Sequence, residues 1–266
     1  MRQFILEKNL EKDGTVTLEG KDFKYLRQVL RVRPGDMISL RLADGSLQNS
    51  TVTKVDEKAK WIQLQICDTA DKSITRGVQA IQIQEEQTKA DSFPGQIEYI
   101  LLQFVPRPQK FEQIVRQAVE CGVKYIVPVF GEYSEKSSIQ ALSGNANKKE
   151  RLERIVKEAR QQSGSPVESV VTEPMTLERA VEFAEGALGF VLSERDEGSV
   201  KISEVLAQNK NVQRIAIACG SEGGISPKEV EFLCKKGLFL TVHFSVNILR
   251  CETAALYGIA AVQTAV

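Results

Sequence analysis

The chain is short of the features that most directly announce a chemistry. Its five cysteines, Cys67, Cys121, Cys219, Cys234 and Cys251, are odd in number and widely scattered. None forms a CxxC spacing, which argues against a disulfide framework and against a zinc site, so no metal is expected and the expected compartment is a reducing cytoplasm. Net charge is absent too, because 35 basic residues balance 35 acidic ones over 266 residues. Any affinity for nucleic acid must therefore come from local patches. No stretch approaches the length of a membrane-spanning helix, and the opening MRQFILEKNLEKDG sets charges beside a very short apolar run, which suits neither a signal peptide nor an anchor. The sequence also lacks a GKT or GKS phosphate loop and the GxGxxG dinucleotide fingerprint, which disfavours a nucleotide-dependent oxidoreductase.

What is present divides the chain in two. The first 70 or so residues alternate apolar and polar positions in VTLEG, MISLRL, STVTKV and WIQLQI, with turns at Asp13-Gly14, Pro34-Gly35 and Asp44-Gly45. This is the pattern of a small β-rich domain. One helical piece, KDFKYLRQVLR, interrupts it, with Phe23, Leu26 and Leu30 on one face and Lys24, Arg27 and Arg31 on another. With Arg33, these residues make the densest local positive patch, either an RNA-binding surface or simply a solvated helix face. Arg151, Arg154 and Arg160 make a second patch further on. A polar stretch from Cys67 to Gly95 holds the domain junction.

From Glu98 strands alternate with helices: EYILLQFV, the helix KFEQIVRQAVECG, KYIVPVF, a helix opening at Asn147 with Glu150 as a capping box, VESVV, TLERAVEFAE, LGFVLS, a short helix near Lys201 to Ala207, and RIAIA. That rhythm predicts an α/β domain with a parallel sheet. After RIAIA comes Cys219-Gly220-Ser221-Glu222-Gly223-Gly224, followed by a helix that Ser226, Pro227 and Glu229 cap. A glycine turn between strand and helix exposes backbone N–H groups where open sheets bind ligands, although such turns are often only tight turns. The strand FLTVHF then leads through residues 245–250 into an alanine-rich terminal helix.

Two segments here are specific. The pair EGG(I)S-x-x-E, from Glu222 to Glu229, and ILR-x-ETAA, from Ile248 to Ala255, resembles the signature of the ribosomal RNA small-subunit uridine-N3 methyltransferase family of the SPOUT class. VLRVRPGD resembles that family's N-terminal PUA-like domain, and E-x-G-V-x-x-I-x-P at Glu120 to Pro128 and EARQQSG at Glu158 to Gly164 resemble its middle motifs. The resemblance implies an α/β fold with a C-terminal trefoil-knotted parallel-sheet SPOUT domain over residues 73–266 and an N-terminal small β-barrel PUA-like domain over residues 1–72. It further implies S-adenosylmethionine as cofactor, small-subunit ribosomal RNA or the subunit as partner, and a homodimer.

Carried over by position, the resemblance puts the cofactor among three loops: Leu192 and Glu194; Cys219, Gly220, Glu222, Gly223 and Gly224; and Phe244, Ser245, Ile248, Leu249 and Arg250. Ile248 and Leu249 would supply an apolar slot. Arg250 becomes the candidate for stabilising the uridine N3 anion, and Glu252 for orienting Arg250 or the base. Both could instead be an ion pair or cap that fixes the loop. RNA would be held by Lys24, Arg27, Arg31 and Arg33. His243 reads as a satisfied core histidine, and Cys219 and Cys251 as small packing residues. The sequence departs from the family pattern at Ser221, Ser245, Asn247, Gln117, Ser165 and Tyr133, mostly by losing basic residues or a glycine. Those losses keep open a second reading, a catalytically degenerate RNA-binding or ribosome-assembly protein that retains the fold.

Overall fold

The structure is a computed structural model describing residues 3–67, 97–142, 146–196 and 198–266, which fall into two compact units before and after the segment 68–96. The division expected at residues 72 and 73 lies outside the described residues.

The first unit contains strands β1 (Gln3–Ile5) and β2 (Thr15–Glu19), helix α1 (Gly20–Lys24) running into a π turn over Tyr25–Val29, then β3 (Met37–Arg41), β4 (Leu47–Asp56) and β5 (Trp61–Ile66). They form one sheet in the order β1-β3-β4-β5-β2, with β1 parallel to β3 and the other pairs antiparallel. The period-2 pattern explains the register. Val16 faces Leu64 and Leu18 faces Ile62, so all four point to one side and are buried there with Phe23 and Leu26 from the helical segment. Each such side chain contributes roughly 1.5–3 kcal/mol on leaving water. Where a small β-barrel was expected, the sheet is a half-barrel: β1 and β2 stand at opposite ends of the strand order and, among the described residues, are not paired with each other. Strand β1 escaped sequence reading because three residues show no periodicity.

The second unit runs β6 (Glu98–Phe104), α2 (Pro108–Glu120), β7 (Tyr125–Phe130), α3 (Lys136–Leu142), α4 (Ala146–Ser163), β8 (Val170–Val171), β9 (Met175–Thr176), α5 (Leu177–Phe183), β10 (Leu188–Ser193), α6 (Ile202–Gln208), β11 (Arg214–Cys219), α7 (Pro227–Lys235), β12 (Leu240–His243) and α8 (Cys251–Ala265). All its strand pairs are parallel, in the order β12-β10-β11-β6-β7-β8, with β9 pairing β7. Alternate residues of the central strands feed two cores. Leu101, Ile215 and Ile217 pack with α2, α4, α6 and α8, whereas Ile100, Leu102, Ala216 and Ala218 pack with α5 and α7. Burial on both faces is why these strands read as nearly continuous apolar runs.

Two expectations need correction. Helix α4 is under way at Ala146, so Asn147 lies inside it and does not cap it. The run VESVV yields only the two-residue β8, because Val167 to Ser169 precede its pairing with β7.

Candidate functional site at the carboxyl ends of the strands

Parallel pairing brings the loops after β10, β11 and β12 to one end of the sheet. The register sets Gln103 of β6 beside Cys219 of β11, Val191 of β10 beside Ala218, and Ser193 beside His243 of β12. The two segments singled out in the sequence are therefore separated by the single strand β10, and Cys219 Sγ donates across that gap to the Cys251 carbonyl at 3.7 Å.

The glycine turn is tied down on several sides. Gln103, the one polar residue inside the apolar run ILLQF, is fully buried, and its Nε2 donates to the carbonyls of Gly220 at 2.9 Å and Cys219 at 3.3 Å. Its Oε1 is buried without a partner. Glu222 accepts from the Arg107 backbone N–H at 3.2 Å, which fastens the turn to the start of α2. Ser221 donates its hydroxyl proton to the Tyr133 carbonyl at 3.3 Å, so two of the departures from the family pattern touch each other. Beyond the turn, the predicted capping box is present: Ser226 Oγ accepts from Glu229 N–H, and Glu229 accepts from Ser226 N–H at 2.9 Å.

Each glycine has its own reason. A Cβ on Gly220 would stand 2.5 Å from the Gly224 carbonyl carbon, so here the turn closes on itself. Gly224 has φ +80°, a conformation that glycine tolerates best, and nothing lies within 4 Å of where its Cβ would stand. Glu222, Gly223 and Gly224 are exposed, so this backbone is open to a ligand.

The last loop is built differently. Ser245, Asn247 and Arg250 are exposed, and Ile248 is 86% exposed, so the expected apolar slot around Ile248 and Leu249 is not closed within this chain. Ser245 has no left-handed backbone, so its Cβ adds bulk near the loop without φ strain. Phe244 stacks edge-on against Tyr257 of α8 with ring centres 4.8 Å apart. Leu192 packs against the same helix at Gly258, where a Cβ would lie 2.6 Å from Leu192 Cδ1. Glu194 is exposed. His243 has a partner, its Nδ1 lying 3.3 Å from the Ser193 carbonyl oxygen, but it is half-buried on the last strand of the sheet and not in the core as expected.

Sequence reading missed Lys110. From the first turn of α2, its Nζ donates to both carboxylate oxygens of Glu252, at 2.9 and 3.1 Å. Burial alone would raise the Glu252 carboxyl, but hydrogen bonds from Lys110, the backbone and the Cys251 thiol outweigh it and hold the group below its ordinary value. The Glu252 hydrogen bond in turn raises the Lys110 ammonium. Burial, then the hydrogen bond to Glu252, pushes the Cys251 thiol up to about 12, and burial pushes Cys219 up as well. Both cysteines stay protonated, as packing residues should. A basic residue opening the helix after the first strand was the available signal for Lys110; a lone glutamine in an apolar strand was the signal for Gln103.

In the first unit Lys24, Arg31 and Arg33 are exposed, whereas Arg27 is paired with Glu57 and donates to the Val32 carbonyl. Arg31 has φ +57° and ends the helical segment. In the second basic patch, Arg151 binds Glu112 at 2.7 Å and Arg160 is partly buried, so neither is a plain solvated charge. A cavity of about 860 Å³ opens at the other end of the sheet, beside Leu188, Val212 and Leu238. We assign the candidate site to the carboxyl ends instead, because there backbone amides and polar side chains of several loops converge.

A parallel sheet covered on both faces, with a glycine turn and two further loops at its carboxyl edge, defines an α/β protein with its loops gathered where open sheets of this kind bind ligands. The chain belongs to the RNA methyltransferase domain family, whose match spans residues 94–263. It is 27% identical over 253 residues to the ribosomal RNA small subunit methyltransferase E of Synechocystis, covering 94% of this chain and 73% of that protein. It is 34% identical over 145 residues to the protein of that name from Aquifex aeolicus, covering 54% of this chain and 58% of the relative. A Neisseria gonorrhoeae ribosomal RNA small subunit methyltransferase E, solved bound to S-adenosyl methionine, shares the fold with TM-score 0.72 at 24% identity, over 99% of this chain and 97% of the other. Among the described residues no helix is long and apolar enough to cross a membrane.

Proposed function

We propose that the protein uses S-adenosylmethionine to methylate N3 of a uridine in small-subunit ribosomal RNA. The observation that carries this reading is the meeting of the two family-like segments, residues 219–224 and 244–252, on either side of β10. The residues suit the cofactor: Glu222 to Gly224 leave accessible backbone, Gln103 holds a buried carbonyl oxygen without a partner beneath the turn, and Phe244 and Leu249 are half-buried apolar groups in the last loop. S-adenosylmethionine, when bound, supplies a methyl group already activated on its sulfonium.

The chain's own residues supply position and charge. Uridine N3 becomes nucleophilic only after losing its proton, and we assign stabilisation of the resulting anion to Arg250, which is exposed at the N-cap of α8. Glu252 anchors the first turn of α8 through Lys110, and thereby Arg250. Lys24, Arg31 and Arg33 are assigned to the RNA backbone, with Arg27 holding that segment in shape through Glu57.

The same reading includes a PUA-like first domain over 1–72 and a SPOUT domain over 73–266 threaded into a trefoil knot. The return of β12 past β10, followed by packing of α8 against α2, α6 and β11, supports the knot. It includes action as a homodimer in the cytoplasm. Tyr257 leaves α8 partly exposed among small residues, and all five cysteines are free.

The test is mass spectrometry of small-subunit ribosomal RNA from a deletion strain with and without the gene restored, together with calorimetry against S-adenosylmethionine. A missing N3-methyluridine that returns with the gene supports the reading. The degenerate RNA-binding alternative is favoured by the lost basic positions Gln117, Tyr133, Ser165 and Asn247, and it predicts no cofactor binding at all.

A further inference from the structure

We infer that Lys110 is a positioning residue for this reaction: by occupying the Glu252 carboxylate it keeps the guanidinium of Arg250, two residues earlier, available to an anionic substrate group. The inference rests on the role proposed for Arg250. Glu252 is the carboxylate nearest Arg250 along the chain, and its side chain is only 19% exposed. Its oxygens are taken by Lys110 from α2 and by the Cys251 thiol, which donates to Oε2 at 3.2 Å. Lys110 is itself 26% exposed, so the pair is partly shielded from water and stronger than an open surface pair. Glu222 of the glycine turn also lies close enough to stabilise the Lys110 charge.

Without Lys110, the donors left to Glu252 are the Cys251 thiol and the backbone, neither of them charged. The Glu252 carboxylate would then lose its charged donor while still half-buried, which is costly unless another cation replaces it. Arg250, at the N-cap with a long side chain, is the cation nearest along the chain that could move in.

The experiment compares Lys110→Met with Lys110→Arg. Lys110→Met is expected to lower kcat about tenfold or more with the Kd for S-adenosylmethionine and the melting temperature nearly unchanged. Lys110→Arg should keep most of the rate, since it restores a charged donor to the Glu252 carboxylate. A merely structural role would instead lower the melting temperature of Lys110→Met in step with its rate. Independently of turnover, the Nε–Hε NMR resonance of Arg250, assigned by its loss in Arg250→Lys, should move in Lys110→Met and stay in place in Lys110→Arg. Wild-type turnover in Lys110→Met, or an unmoved Arg250 resonance there, overturns the inference. A native protein that transfers no methyl group overturns the proposed function instead, and the resonance still decides the pairing.

Discussion

The glycine turn and the last loop occupy the same end of one sheet and are built in opposite ways. Residues 219–224 are held by a buried glutamine, by the α2 backbone through Glu222, by Tyr133 through Ser221 and by the turn's own closure between Gly220 and Gly224. Residues 244–250 turn through a bond from Val246 N–H to the Phe244 carbonyl at 2.7 Å and expose most of their side chains; their firm attachments lie at the ends, in Phe244 on Tyr257 and in Glu252 on Lys110. The difference teaches that one end of a sheet can carry both a turn fixed on several sides and a loop fixed mainly at its ends; in the proposed site the first would serve as a preformed cradle at low entropic cost and the second as the part that adjusts.

Breaking the rigid half should have the largest effect. In Gly220→Val the new Cβ meets the Gly224 backbone, which no rotamer change relieves. The expected outcome is loss of S-adenosylmethionine binding by about a hundredfold or more in calorimetry, with destabilisation of about 1–3 kcal/mol in urea unfolding. On the adaptable side, Arg250→Ala should cut methyl transfer by on the order of a hundredfold, with the unfolding midpoint unchanged because the side chain is exposed. Equal losses of cofactor binding in both variants would erase the contrast between the two loops.

Smaller effects sharpen it. Gly258→Ala would push Leu192 away from α8 and should cost about 1–3 kcal/mol of stability, measurable as a lower melting temperature. Acid titration gives a reference outside the site. The hydrogen bond from Arg151 holds the Glu112 carboxyl at about 2 against an ordinary 4.5, with Lys148 adding to it and burial opposing. Because the folded pKa is the lower one, this contribution is complete above about pH 4.5 and is lost as pH falls toward about 2. It should amount to roughly 1–3 kcal/mol, and Glu112→Gln should remove that part of the acid dependence. The smallest change in stability is expected for Ile248→Ser, within about 0.5 kcal/mol, since Ile248 is 86% exposed. A several-fold fall in cofactor affinity in that variant would show that the loop closes on the ligand.

What was legible in the sequence was whatever local periodicity or capping chemistry dictates. The strands LGFVLS and RIAIA, the helix read from Lys110, which starts at Pro108, and the capping box of Ser226 and Glu229 could be read along the chain because each arises from interactions within a few residues. The glycine turn and Arg250 stood out for the same reason, as local motifs. Strands of two or three residues, such as β1 and β9, were invisible because they are strands only through their partners. Likewise, nothing near Glu252 in the chain points to Lys110, 142 residues earlier, or shows that Arg27 is engaged with Glu57. The sequence by itself determined which segments become strands, helices and turns, and which residue types they carry to the sheet's edge. Only the tertiary structure decided which of those charges are paired and which stay free, because ion pairs form between elements that parallel strand order brings together from distant parts of the chain.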